Sequence, residues 1–172
     1  MPRYVALLGG INVGGHRVTM DRLRTEFAEL GHTEIATFIA SGNVVFTAAA
    51  APDTALADRI AEHLGRQLGW PVPAYVRTAE EVLATTDLRP FGPTPADCSH
   101  MVAFCRSSPD QAIEARSTPV DRFQAHGREV HWLIAGKLLD SAFTLPQLTK
   151  ALGQPCTTRN ITSLQRLCEL LR

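Results

Sequence analysis

Lysine is nearly missing from this chain: of its seventeen basic residues only Lys137 and Lys150 are lysines, and seventeen acidic residues balance them to zero net charge. A protein that lives on nucleic acid or an anionic membrane usually carries an excess of basic residues, so overall charge supports neither partner. The cations present are almost all guanidinium groups, and an anion site here is expected to use arginine forks. Aromatic residues make up 6% of the chain, too few for a strand layer that stacks bases. Cys98, Cys105, Cys156 and Cys168 fall in no CxxC or other zinc-ligand spacing, and their even number does not make a disulfide framework in a chain of this length. They read as reduced, structural thiols. The apolar run Tyr4 to Leu8 is too short for a signal peptide, and no stretch reaches the roughly 20 apolar residues of a membrane span. A cytoplasmic protein without a membrane partner is expected. GxSxG, HExxH, H-x-E with CxxC and GxGxxG are all missing, so no metal, cofactor or conventional catalytic grouping is anticipated, and enzymatic activity stays an open question.

What is present is ordinary globular material. The chain has 172 residues, 45% of them hydrophobic, enough to bury roughly 70% of the unfolded surface without covalent staples. Tyr4 to Leu8 suits a buried strand. Met20, Leu23, Phe27 and Leu30 recur at helical spacing between a Thr19 cap and a Gly31 stop. Glu34 to Ala40 and Val44 to Thr47 form strand-like runs around Ser41, Gly42 and Asn43, which is hairpin chemistry. Asp53 is placed to cap a helix carrying Leu56, Ile60, Leu64 and Leu68, with Gly69 to end it. Val72 to Arg77 reads as a strand, and Thr78 with Glu81 makes a capping box for a short helix.

This order, β α β β α β, is that of a ferredoxin-like unit, an antiparallel sheet with both helices on one face and the other face free for a ligand or partner. Pro90, Gly92, Pro93 and Pro95 then break the pattern. Beyond them His100 to Arg106 is strand-like, and Ser108, Pro109 and Gln111 mark a helix start. Val120 to His126 and Glu129 to Ala135 flank a Gly127–Arg128 turn, with Val130, Trp132 and Ile134 on one face. Pro146 opens a helix that ends at Gly153. Cys156 to Arg159 is extended, and Thr162 with Gln165 caps a closing helix. The expected fold is therefore α+β: two ferredoxin-like βαββαβ halves with antiparallel sheets, residues 1–88 and 99–172, a proline-rich connector over 89–98, and a C-terminal helix. No repeat is visible residue by residue, so the duplication rests on element order.

Three segments, YVALLGGINVGGH at 4–16, FIASGNVVF at 38–46 and TTRNITSLQRL at 157–167, resemble the uncharacterised DUF1697 family. The resemblance spans the chain and implies paired ferredoxin-like halves, with no established activity to carry over. It draws attention to Gly10, Asn12, Gly14, Gly15, Ser41, Gly42, Asn43, Thr158, Arg159 and Asn160, which match the family pattern. The family usually has Arg where this chain has Gly9, so a cation is absent there. It commonly has Trp at the position of Ile161, a packing change.

The glycines between the first strand and helix invite comparison with a phosphate cradle, in which backbone N–H groups and a helix N-terminus hold the anion, and His16 and Arg17 would add charge. The spacing matches neither the P-loop nor the dinucleotide template, and the plain alternative is a turn that needs positive φ. Asn43 is a candidate to orient a ligand at the sheet edge, or else a turn residue. Arg159 and Asn160 are candidates for carboxylate or phosphate recognition, or else a salt bridge and a turn. Cys98 and His100 share a strand face, a pair that is more often structural than metal-binding. The expected function is a binding protein or small enzyme for an anionic metabolite, a phosphorylated one among the options, with Gly10, Asn12, Gly14, Gly15, His16, Arg17, Asn43, Arg159 and Asn160 as candidate site residues. The alternatives are a protein-interaction module without a small ligand and a single-stranded nucleic-acid binder, the latter disfavoured by charge and aromatic content.

Overall fold

Alternating apolar runs and capped helices produce two sheets of the same design. The computed structural model describes residues 1–38 and 42–172, so the expected role of Ser41 and the last residues of the second strand lie outside the described residues. The chain divides into compact units, Met1–Leu83 and Ala84–Leu170, and the division falls inside the third helix.

In the first unit the strands are β1 (Arg3–Leu8), β2 (Thr33–Phe38), β3 (Asn43–Thr47) and β4 (Ala74–Thr78). They form an antiparallel sheet in the order β2-β3-β1-β4, the ferredoxin-like arrangement. Helices α1 (Met20–Glu29) and α2 (Asp53–Leu68) supply Leu23, Phe27, Leu56, Ile60 and Leu64 to a core shared with Tyr4, Ala6, Leu8, Val44, Phe46 and Val76. Thr19 caps α1 by accepting from the Arg22 N–H at 3.1 Å, as its position predicts. Asp53 is instead the first helical residue of α2, behind a Pro52 cap that offers no side-chain bond. Its carboxylate sits in the first turn, where it favours the helix dipole. Gly69 ends α2 at φ 85°, the left-handed conformation for which glycine is suited. Strand β4 starts two residues later than expected, because Pro71 and Pro73 remove donors on either side of Val72.

One expectation is corrected. The opposite face of this sheet is not free: Val5, Leu7, Val45, Tyr75 and Arg77 are all buried. The unbroken apolar run of β1 is the sequence signature of a strand buried on both sides.

The second unit opens in α3 (Ala79–Asp87), whose capping box forms as predicted: Glu81 Oε2 accepts from the Thr78 N–H at 2.8 Å and Thr78 Oγ1 from the Glu81 N–H at 3.2 Å. Strands β5 (Ser99–Cys105), β6 (Asp121–His126), β7 (Glu129–Ile134) and β8 (Cys156–Asn160) repeat the first sheet in the order β6-β7-β5-β8, again antiparallel. Helix α4 (Leu145–Leu152) starts with a Thr144–Gln147 capping box, and α5 (Ile161–Glu169) closes the chain. Val130, Trp132 and Ile134 do share one face, in a core with Met101, Ala103, Leu148 and Leu152. The expected helix after Pro109 is a six-residue 3-10 turn, Gln111–Arg116, capped not by Ser108 but by Asp110, which accepts from the Ala112 N–H at 2.9 Å.

The closing helix begins earlier than the Thr162–Gln165 box implies. Asn160 is its cap, its Oδ1 accepting from the Thr162 N–H at 2.8 Å. The Gln165 side chain is thereby released from capping.

Candidate functional site

The glycine-rich connection between β1 and α1 is a folded loop that satisfies much of its own backbone. Gly14 and Gly15, at φ 56° and 85°, turn a minimal hairpin in which the His16 N–H donates to the Val13 carbonyl at 2.9 Å. Gly10 also takes positive φ, and so does Asn12. Asn12 Oδ1 accepts from the Val18 N–H at 2.9 Å, and the Arg17 Nη1 turns back to the Asn12 carbonyl at 3.1 Å. The His16 ring stacks on Trp70 with centroids 4.5 Å apart, while the Trp70 Nε1–H donates to the Gly10 carbonyl at 3.0 Å. The N–H groups of Leu8 and Gly9 are spent on the carbonyls of Gly42 and Pro73. The N–H groups of Leu8, Gly9, His16 and Val18 are thus bonded within the chain.

Asn43 lies buried in the sheet, its amide donating to the Phe38 carbonyl at 3.1 Å. Beside it Gly42 could not carry a side chain: a Cβ would stand 3.0 Å from Leu8 Cβ, at a φ of 83°.

Arg159 belongs to the second unit, on the face of its sheet away from the α4 core, and is buried. Its Nη1 donates to Thr157 Oγ1 at 2.7 Å and to the Thr158 carbonyl at 2.9 Å. Burial pushes its pKa down to about 10, so the guanidinium stays charged at neutral pH. We expect Arg159→Ala to lose about 2–3 kcal/mol of stability, the usual worth of hydrogen bonds from a charged donor plus lost packing; a urea unfolding midpoint unchanged from wild type would contradict this.

Asn160, an expected site residue, lines a cavity of the second unit. This cavity, of about 470 Å3, lies at the start of α5 and is bounded by Arg89, Pro93, Thr94, Cys98, Ser99, His100, Asn160, Ile161, Thr162 and Gln165. The connector supplies the arginine, the start of β5 supplies Ser99 and His100, and the cap of α5 supplies Asn160 and Thr162. With its amide oxygen facing Arg89, Gln165 accepts from Nη1 at 3.1 Å and Nη2 at 2.5 Å, which braces the guanidinium. Ser99 Oγ donates to the Gly136 carbonyl at 2.7 Å.

His100, 1% exposed, faces His131 across the sheet with Nε2 2.9 Å from His131 Nδ1. Whichever ring donates, His100 Nδ1 and His131 Nε2 are left buried without a partner among the described residues. Burial, with the nearby Arg89 charge, pushes His100 down to about 4. Burial, then His100, His126 and Arg89, does the same for His131. Both rings are neutral at physiological pH. Phe91 packs edge-on to His100 at 5.6 Å between centroids, and the Arg122 guanidinium lies 5.1 Å from the Phe91 centroid.

Sequence reasoning missed Arg89, Ser99, Thr162 and Gln165 as a group because their segments are remote in the chain. His100 was noted for its neighbour Cys98, whereas its bonded partner is His131. The thiols carry no signal of reactivity: all four cysteines are free, and burial raises Cys156 to about 11 and raises Cys168.

Among the described residues one group has metal-ligand spacing, Glu26, Glu29 and His63, with ligand atoms within 4.8 Å of one another. Glu26 is already engaged on both oxygens, by Arg22 Nε at 2.5 Å and His63 Nε2 at 2.8 Å. Burial pushes the Glu26 carboxyl up, but hydrogen bonds and charge from Arg22 and His63 outweigh it and leave it below the usual range. The group is an internal hydrogen-bonded cluster tying α1 to α2.

Among the described residues no helix is long and apolar enough to cross a membrane. No curated protein matches the chain. Among solved structures, conserved bacterial protein SP0830 from Streptococcus pneumoniae is similar with a TM-score of 0.76 at 22% sequence identity, covering 99% of this chain and 98% of that one. At that identity the likeness establishes the fold alone. The family model described as protein of unknown function DUF1697 matches residues 1–131, and the chain belongs to that family.

Proposed function

We propose that this protein is a binding protein or small enzyme for an anionic small metabolite, and that the ligand sits in the cavity at the start of α5. One observation carries the reading: the Arg89 guanidinium, the N-terminus of α5 and the buried His100, whose Nδ1 has no partner among the described residues, line one concave space of about 470 Å3. That volume is in the range of small-molecule sites. The helix end contributes partial positive charge and the arginine a full one. The glycine loop, Asn43 and Arg159 are supporting structure in this reading. Cytoplasmic residence is the expected compartment for a protein with four free thiols.

Thermal unfolding against carboxylates, inorganic phosphate and nucleotides tests the proposal. A ligand at a hundred times its dissociation constant adds about 2.7 kcal/mol, a shift of several degrees at this size. Arg89 is exposed and its loss should leave the fold intact, so Arg89→Ala is expected to abolish the shift while Arg17→Ala keeps it. A shift lost in Arg17→Ala and kept in Arg89→Ala would return the site to the glycine loop.

A second reading, an interaction module, is favoured by one feature. Leu138, Leu139 and Leu145, 47%, 96% and 52% exposed, surround an apolar recess of about 270 Å3 floored by Trp132 and Phe143. If this surface pairs two copies, sedimentation should show concentration-dependent association that Leu139→Glu removes; a monomer at every concentration would exclude self-pairing.

A further inference from the structure

We infer that the ligand of the α5 cavity is a small hydroxy- or oxo-carboxylic acid and not a phosphate ester, an inference that rests on the anion-site reading above. The charge available decides between the two. Arg89 is the sole fully charged side chain among the described residues lining the cavity, and no carboxylate lines it. The N-terminus of α5 adds the equivalent of about half a charge. The helix end is partly spent, since the Thr162 N–H is held by Asn160, so less than that half charge is free and the total stays close to one. That matches a monoanion; a phosphate ester carries roughly −1.5 to −2 at neutral pH and asks for more charge and more donors than this. Arginine's planar fork, braced by Gln165, suits the two oxygens of a carboxylate.

The second oxygen follows from His100. Its ring is neutral at physiological pH, lines the cavity, and keeps Nδ1 buried with no partner among the described residues. An orphaned buried polar atom costs stability unless something meets it. The pair with His131 is symmetric in its choices: when the His100 Nε2–H donates to His131 Nδ1, His100 Nδ1 is an acceptor, and when His131 donates, it is a donor. One ring can therefore serve an adjacent hydroxyl or an adjacent carbonyl. Pro93 and Ile161 give the cavity apolar wall for the body of the acid.

Isothermal titration with four matched probes tests this: phenylacetate, mandelate, phenylglyoxylate and phenyl phosphate. Mandelate and phenylglyoxylate should bind about tenfold more tightly than phenylacetate, the worth of one added hydrogen bond, and more tightly than phenyl phosphate. Arg89→Ala should weaken all three carboxylates at least tenfold, and His100→Phe should erase the preference for the second oxygen. Phenyl phosphate binding tightest, with the same dependence on Arg89, would overturn the carboxylic-acid assignment and leave the anion site standing. Carboxylate binding indifferent to Arg89→Ala, or no binding by any probe, would overturn the site and the assignment together.

Discussion

Between pH 6.5 and pH 4 the protein should lose stability steeply, while from pH 7 to pH 8 its unfolding free energy should stay level. The cause is the buried pair His100 and His131, each held near 4 against an ordinary value of 6.5. In the unfolded chain both rings take up protons as pH falls through 6.5; in the folded protein they stay neutral until about pH 4. The unfolded state therefore binds more protons across this window, and acid favours it. The full effect is about 3 kcal/mol per histidine, less what their mutual repulsion changes. His32 is also lowered, first by burial and then by Arg59, and acts in the same direction. Glu26, lowered in the folded state, adds a further loss below pH 4.5, as its carboxylate is protonated and releases Arg22 and His63. Urea unfolding at a series of pH values checks this, and His131→Phe should flatten the slope whatever it does to absolute stability. An unfolding free energy constant from pH 7 to pH 4.5 would mean that the pair is charged or solvated in the folded protein.

Asp121→Ala should destabilise the second unit by about 3–5 kcal/mol, equivalent to roughly 10 °C in melting temperature for a chain of this length. Asp121 is fully buried at the start of β6. Its Oδ1 accepts from Trp132 Nε1 at 2.8 Å and Ser141 Oγ at 2.5 Å, and its Oδ2 from the Ala142 N–H at 3.0 Å. Alanine would strand those donors at once, each a buried polar group without a partner. It would also release the segment after β7 that carries Leu138 and Leu139 and walls the apolar recess. Ser141→Ala removes one donor to Asp121 and the acceptor of the Phe143 N–H, and should cost about 1–2 kcal/mol. Chemical denaturation followed by tryptophan fluorescence reports both, and equal losses for the two variants would show that the carboxylate is not the centre of this network.

The elements that were legible in the sequence are those whose signals are local. Thr19, Gly31, Gly69 and Gly153 mark helix ends by backbone chemistry, and the Thr78–Glu81 box forms because both partners lie within one turn. Signals that depend on competition were less legible. At the start of α5 two caps compete, and Asn160 prevails over Thr162, which changes the role of Gln165.

The duplication has a residue-level echo that only strand register makes visible. Arg77 stands opposite Val5 and Arg159 opposite Val102, each one residue before the cap of the following helix, Thr78 and Asn160. A single arginine among dissimilar neighbours carries no such message along the chain. The cavity was hidden for a related reason. Arg89, His100 and Gln165 have no periodic relation in sequence, and folding alone brings connector, strand and helix to one place. The glycine loop drew attention because its glycines are adjacent, yet adjacency there encodes a tight turn.

The most direct test of the anion site is to titrate mandelate into isotope-labelled protein and follow the backbone amide and arginine side-chain NMR signals. Perturbations centred on Arg89, Ser99, Ile161 and Thr162 are predicted, with the amides of Gly10 to Arg17 unmoved. Perturbations confined to Gly10 to Arg17, or spread evenly over the surface, would contradict the assignment of the α5 cavity.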